Sequence, residues 1–258
     1  MGGEIDPALA RAMLEWQLEL GATDAVGDEP VDRLAAPAAE AAAAPPAIAV
    51  PGGPPNPVAD PVADARAAAR AAADLPALRE AIAAYPHCEL RLGARNVVFA
   101  DGVPGAPVMI VGEAPGRDED IEGLPFVGRS GKLLDLMLAA IGLSRRADDP
   151  ARGVYITNVM PWRPPQNRDP KPAEIAMMMP FLERHVALAR PRVLVPMGNT
   201  ACAAMLGQRG IMKLRGTVTE ALGLPAMPML HPAYLLRNPI KKREAWADLL
   251  ALEERLRG

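Results

Sequence analysis

Pro107-Val-Met-Ile-Val-Gly112 is an unbroken apolar run that stops on a glycine and passes directly into Glu113-Ala-Pro-Gly116. A short continuous apolar run, without polar alternation, is what a strand covered on both faces shows. Val154-Tyr-Ile-Thr-Asn158 and Arg192-Val-Leu-Val-Pro-Met-Gly198 have the same character, and Ala226-Met-Pro-Met-Leu230 is a weaker fourth run. Helical patterns lie between and after them, at 130–141, 172–189, 199–206 and 239–256. Strands alternating with helices predict an α/β class fold: three layers, α/β/α, around a central parallel sheet of about four strands.

In an open parallel sheet, ligands bind beyond the carboxyl ends of the strands. Those ends carry Glu113, Asn158, Gly198-Asn199 and His231, so a carboxylate, a carboxamide and an imidazole are expected on one edge although they are far apart in sequence. Each has two readings. Asn158 can donate and accept, which suits the imide edge of uracil, or it can satisfy loop backbone. His231, followed by a proline, can donate to an oxyanion or can be a capping or core histidine. Phe126, between Pro125 and Val127-Gly128, can stack on a flat ligand or plug the top of the sheet. The glycines of the Gly112–Gly116 turn permit close backbone approach to a ligand.

Before residue 63 the texture differs. Ile5, Leu9, Met13, Trp16 and Leu20 make one apolar helical stripe, so 1–35 is expected to hold a helical segment. Residues 36–62, ending in Pro51-Gly-Gly-Pro-Pro-Asn-Pro57, are expected to be an Ala/Pro/Gly-rich flexible linker. Residues 63–84 return to an Ala-rich helical pattern, and 63–258 is expected to be the catalytic domain. The net charge of -3 conceals an asymmetry: 1–88 carries 5 basic and 13 acidic residues, 89–258 carries 23 and 18. The second part is mildly basic, as contact with phosphates requires, and Arg163, Arg168, Arg237, Lys241, Lys242 and Arg243 lie near the expected site edge. Two cysteines cannot build a disulfide framework and suit a reducing cytosol. The start, Met1-Gly-Gly-Glu4, has neither the basic nor the apolar region of a secretory signal, and no apolar run is long enough to span a bilayer. A cytoplasmic protein with no membrane association is expected.

The Gly112-Glu-Ala-Pro-Gly116 turn, Pro125-Phe-Val-Gly128, Asn158 with Arg163-Pro-Pro165, and His231-Pro with Leu235-Leu-Arg237 together resemble the uracil-DNA glycosylase superfamily, in its order of motifs. The likeness covers roughly 85–256 and is nearest to family 4, the bacterial thermostable-type group. It implies a monofunctional glycosylase of base-excision repair that flips uracil out of DNA and hydrolyses its N-glycosidic bond. By motif, Phe126 would stack on the base, Asn158 would read its Watson–Crick edge, and His231 would bond O2 of the leaving base. Glu113 would orient water or stabilise the sugar cation. Gly112 and Ala114 would line the base site, with Glu119 crowding C5 against thymine. Arg163, Arg168 and Arg237 would face phosphate, with Leu235 or Tyr234 as the wedge entering the duplex. The implied partner is uracil-containing DNA, bound by a monomer at the nucleoid, with a protein partner or the chain's own catalytic domain open as the target of the 5–20 helix.

Members of family 4 usually hold a four-iron, four-sulfur cluster on four cysteines. The matching positions here are Tyr85, Cys88, Trp162 and Met178 or Met179, so no cluster and no other metal is expected. Three other readings stay open. One is a uracil-DNA-binding protein without catalysis, against which the retained Glu113 argues. Another is covalent capture of the sugar, for which the loop Arg163–Arg168 lacks a histidine. The third is a glycosylase that also accepts other deaminated bases.

Overall fold

The structure, a computed structural model, describes residues 60–257. The predicted helix at 5–20 and the predicted linker up to residue 59 lie outside the described residues. The stretch read as one helical pattern at 63–84 is two helices, α1 (Pro61–Ala71) and α2 (Leu75–Ala84). Asp74 breaks it by accepting the Ala77 amide at 2.8 Å, and Pro76, with no N–H to give, belongs to a first helical turn. Asp60 caps α1 in the same way through Val62 and Ala63, so the helix starts within the stretch read as linker.

A single turn, α3 (Leu90–Gly93), leads to the edge strand β1 (Asp101–Gly102) and then to β2 (Val108–Gly112). After β2 come α4 (Arg117–Glu122), α5 (Arg129–Ala139), β3 (Val154–Asn158), α6 (Pro172–Ala189) and β4 (Val193–Pro196). The chain continues through α7 (Gly198–Leu206), α8 (Ile211–Leu214), β5 (Thr219–Ala221), β6 (Leu224–Ala226), α9 (Pro232–Arg237) and α10 (Lys242–Arg257).

The sheet order is β1-β3-β2-β4-β6-β5. Its four central strands are parallel, as expected, and β1 and β5 add an antiparallel strand at each edge. The fourth strand sits two residues earlier than the run at 226–230 suggested. Pro225 and Pro228 limit the ladder, yet the Met227 amide still reaches Leu194 O at 2.9 Å and the Met229 amide reaches Pro196 O at 3.0 Å. The chain therefore runs extended beside β4 up to His231.

Alternation along the central strands divides the core. Met109, Val111, Tyr155 and Leu194 face one side, where α1, α2 and α6 cover them with Ala65, Leu78, Ile82, Phe181 and Val186. Val108, Ile110, Val154, Ile156, Val193 and Val195 face the other, under Leu134 and Leu138 of α5 and Leu249 and Leu252 of α10. Both faces are dry, which is why the strands read as continuous apolar runs. Their carboxyl ends open to a pocket.

Candidate active site

At those ends lies a pocket of about 660 Å³. Glu113, Ala114, Glu119, Phe126, Asn158, Arg168, His231, Tyr234 and Arg237 line it, nine of the residues picked out in the sequence. Gly112 lies beneath the wall. A Cβ there would fall 2.3 Å from Asn158 Oδ1 and 2.7 Å from the Phe126 ring, so these side chains approach each other only because Gly112 has none. Gly112 and Asn158 are also register partners across β2 and β3, which puts the carboxamide at the end of the ladder.

Asn158 is 7% exposed, and among the described residues its carboxamide makes no hydrogen bond. No buried side-chain nitrogen or oxygen among the described residues lacks a partner, so the unbonded carboxamide atoms are open to the pocket and can bond a ligand there. The reading in which it satisfies loop backbone does not hold among these residues.

Of the two readings of His231, the capping one is seen directly. It is the N-cap of α9, with Nδ1 accepting the Ala233 amide at 3.1 Å. That bond leaves Nε2 as the N–H of the neutral ring. Burial, with a lesser contribution from the Arg237 charge, brings its pKa down to about 4, so the ring is a neutral donor at pH 7. Phe126 stacks against it with centroids 5.3 Å apart and planes at 27°. Phe126 is itself 5% exposed and holds φ at +54°, the left-handed region, where a bulky side chain is rare.

Glu113 is half-buried at the end of β2. Burial pushes its carboxyl up from the usual carboxylate range, against the pull of the Thr200 hydroxyl, while the Asp169 charge adds to the rise. Thr200 is a site residue that sequence reasoning passed over. It stands in the first turn of α7, one place beyond the Gly198-Asn199 strand end. Asn199 turns elsewhere, its Oδ1 accepting the Gly210 and Ile211 amides.

Glu119 ties two motifs together. One carboxylate oxygen accepts the Gly116 amide at 3.1 Å; the other accepts the Val127 and Gly128 amides, each at 3.1 Å. A carboxylate held by three amides is a fixed piece of wall. On the opposite rim, Arg168 is bound to Glu174 through two nitrogens at 2.6 and 2.9 Å, which spends part of its charge within the protein. Arg163 lies outside the pocket wall and donates to Asn167 Oδ1 at 2.7 Å, bracing a loop whose Gln166 and Asn167 both have positive φ. Leu235 does not occupy a wedge position. It is 1% exposed and packs with Cys202, Ile211, Leu230 and Ala245, because α9 turns it inward; Tyr234 lines the pocket, and Leu236 is the apolar side chain of α9 that faces out.

Tyr85, Cys88, Trp162 and Met178 lie in one apolar cluster under α6, each 3% exposed or less, and Met179 packs at its margin. The Tyr85 hydroxyl donates to Pro61 O at 2.6 Å and its ring meets Phe181 edge-on at 5.2 Å. Burial pushes the Cys88 thiol up, away from the thiolate a metal would need. One thiol among apolar side chains does not fit a cluster that requires four thiolates.

A family profile described as the uracil DNA glycosylase superfamily matches residues 99–250. The chain is 40% identical over 176 residues to a type-4 uracil-DNA glycosylase of Archaeoglobus fulgidus, covering 65% of this chain and 85% of that one. It is 42% identical over 154 residues to one of Thermotoga maritima, covering 58% and 77% respectively. With one of Sulfurisphaera tokodaii the identity is 35% over 190 residues, covering 70% and 84%.

Proposed function

The chain belongs to the uracil DNA glycosylase superfamily, and on that premise we propose that it hydrolyses the N-glycosidic bond of a uracil nucleotide flipped out of DNA, leaving an abasic site. The observation that carries this reading is the unpartnered Asn158 carboxamide in the same pocket as a neutral, donating His231. Uracil presents O4 as an acceptor and N3–H as a donor, and one oriented carboxamide matches both. Cytosine reverses the pattern and would leave buried groups unpaired, at about 1–3 kcal/mol for each.

Cleavage between the base and C1′ leaves the electron pair on uracil and an oxocarbenium-like sugar. His231 Nε2–H bonds O2 as its negative charge grows, and a neutral donor does this without first surrendering a proton to the base. The Glu113 carboxylate serves the sugar side, where positive charge develops and water adds. Phe126 holds the base plane, and the fixed Glu119 carboxylate and Ala114 bound the base site against a 5-methyl group. Arg163, Arg168, Tyr234 and Arg237 meet the DNA strand. Among the described residues the pocket wall carries no lysine amine to capture the sugar, which supports a monofunctional enzyme.

The same reading has no iron–sulfur cluster, and the apolar packing of Tyr85, Cys88, Trp162 and Met178 supports that. Iron and sulfide analysis of anaerobically purified protein tests it; stoichiometric iron with sulfide would overturn it. Residues 63–258 would act as the catalytic domain, in a monomer of the cytoplasm. Among the described residues no helix is long and apolar enough to cross a membrane.

The test of function is alkali-labile scission at uracil in single-turnover assays. Wild-type protein is expected to cleave and Asn158→Asp to lose most of the rate. Binding without scission by the wild type would make the protein a holder of uracil-DNA instead. Full activity in Asn158→Asp would remove the role given to Asn158.

A further inference from the structure

The stacking ring at Phe126 is held from behind by a buried guanidinium. Arg145, 6% exposed, donates Nη1–H to Pro125 O at 3.0 Å and Nη2–H to Phe126 O at 3.1 Å, grasping the two carbonyls on either side of the Phe126 Cα. The guanidinium is in turn fixed on two sides. Its Nε donates to Asp135 on α5 at 2.7 Å, and Nη1 also meets Asp101 on β1 at 3.1 Å. Asp101, 9% exposed, is shared with Arg146 and accepts the Gly102 amide. One planar fork therefore links the sheet edge, helix α5 and the loop before it.

What this network holds is a backbone that would not stay in place unaided. Phe126 sits at positive φ, and its carbonyl passes so close to α5 that a Cβ on Gly131 would fall 1.7 Å from the oxygen. Release of either carbonyl would let φ relax and swing the ring from its place over His231. A lysine in place of Arg145 carries charge but not the fork of donors needed for two carbonyls and two carboxylates at once.

From this geometry we propose that Arg145, anchored by Asp101 and Asp135, is a positioning residue that sets the pose of the Phe126 ring and so governs how the enzyme grips the base. The proposal rests on the uracil-excision reading above. Arg145 is expected to affect base recognition while leaving contacts with the DNA strand intact.

A double-mutant cycle with Phe126→Ala tests it, using single-turnover excision, inhibition by free uracil, affinity for abasic-site DNA and melting temperature. Arg145→Lys is expected to slow excision about tenfold or more and to weaken inhibition by free uracil similarly, with abasic-DNA affinity within about twofold of wild type. In the Phe126→Ala background the same change is expected to have almost no further effect, because the ring through which it acts is gone. If the two losses multiply, or if uracil and abasic-DNA binding fall together, Arg145 is not a positioning residue for the ring. Should Arg145→Lys not fold, Asp135→Asn removes one anchor at a half-exposed position; a loss of a few fold that disappears in Phe126→Ala supports the proposal, and no loss of uracil inhibition overturns it. Absence of excision by the wild type would refute the functional reading, whereas loss of the coupling with excision intact refutes only this one.

Discussion

Two regions of the molecule enclose an imidazole, one fully buried and one half-buried, and they use it differently. In the core between β3 and α6, His185 is 3% exposed, with Nε2 at 2.9 Å from the Tyr155 hydroxyl and its ring stacked on Phe99 at 4.3 Å. At the pocket, His231 stacks on Phe126 and accepts the Ala233 amide, leaving Nε2–H without a partner among the described residues. Burial brings the pKa down to about 3 for His185 and to about 4 for His231. A lowered pKa thus does not separate the two. What separates them is the space each meets: His185 borders a cavity of only about 20 Å³, and His231 a pocket of about 660 Å³ that can admit a ligand.

The sharpest way to break the comparison is to truncate each ring. His231→Ala is expected to lower single-turnover excision by roughly 10²–10³-fold, the usual loss of one preorganised oxyanion donor. Its stability should fall by only about 1 kcal/mol, for the lost helix cap. His185→Ala should do the reverse: a loss of about 2–4 kcal/mol from the cavity and the orphaned Tyr155 hydroxyl, with excision within about threefold of wild type below its melting point. Assays of rate and melting temperature on both variants decide it. Equal losses of rate would mean that the core histidine is coupled to the chemistry.

Much of the pocket is legible in the sequence, for reasons that differ from residue to residue. β2, β3 and β4 are covered on both faces, so their runs stand out, and strand ends then placed Glu113, Asn158 and His231 on one edge. β1 and β5 were not visible, since strands of two and three residues are defined by pairing with a distant partner and not by pattern. Leu235 was misplaced because a motif does not say which face of a one-turn helix points inward. Arg145 left no sign, as its partners are backbone carbonyls and carboxylates up to 44 residues away that only the fold assembles. Glu119 was picked out by position, but its three amide bonds depend on how two loops meet.

A weaker but broader test uses pH. Because His231 stays neutral down to about pH 4, it gives excision no histidine-like fall between pH 8 and 6; the acid fall begins with protonation of Glu113, whose carboxyl is raised by burial, and continues toward 4, where the His231 ring gains a proton. The stability effect has the same sign for both rings. A histidine whose folded pKa lies below its unfolded value of about 6.5 favours the folded state fully above that value. The advantage drains away as pH falls toward the folded pKa, about 4 for His231 and about 3 for His185. Melting temperature against pH should therefore bend downward below about 6.5 in wild type, and less so in His185→Ala. A ring-proton NMR titration of His231 with a midpoint near 6.5 would show that it is not held neutral and would erase the likeness between the two rings.

The smallest effect is expected beneath α6, in the same apolar layer as His185. Cys88 is fully buried beside Tyr85, Trp162 and Met178, and if the site is packing alone, Cys88→Ala removes one small apolar group. The neighbouring rings keep their own anchors: Tyr85 bonds Pro61 O and leans on Phe181. The change should lower stability by about 1 kcal/mol and leave excision and the absorption spectrum unchanged. A bound cluster would behave otherwise, since loss of a thiolate ligand takes metal, colour and the fold around it together. Denaturant melts with parallel visible spectra of the wild type and Cys88→Ala separate the two cases. A large stability loss with a bleached spectrum would turn this region from filler into a site, and the contrast between a packed core and an open pocket would then need a third term.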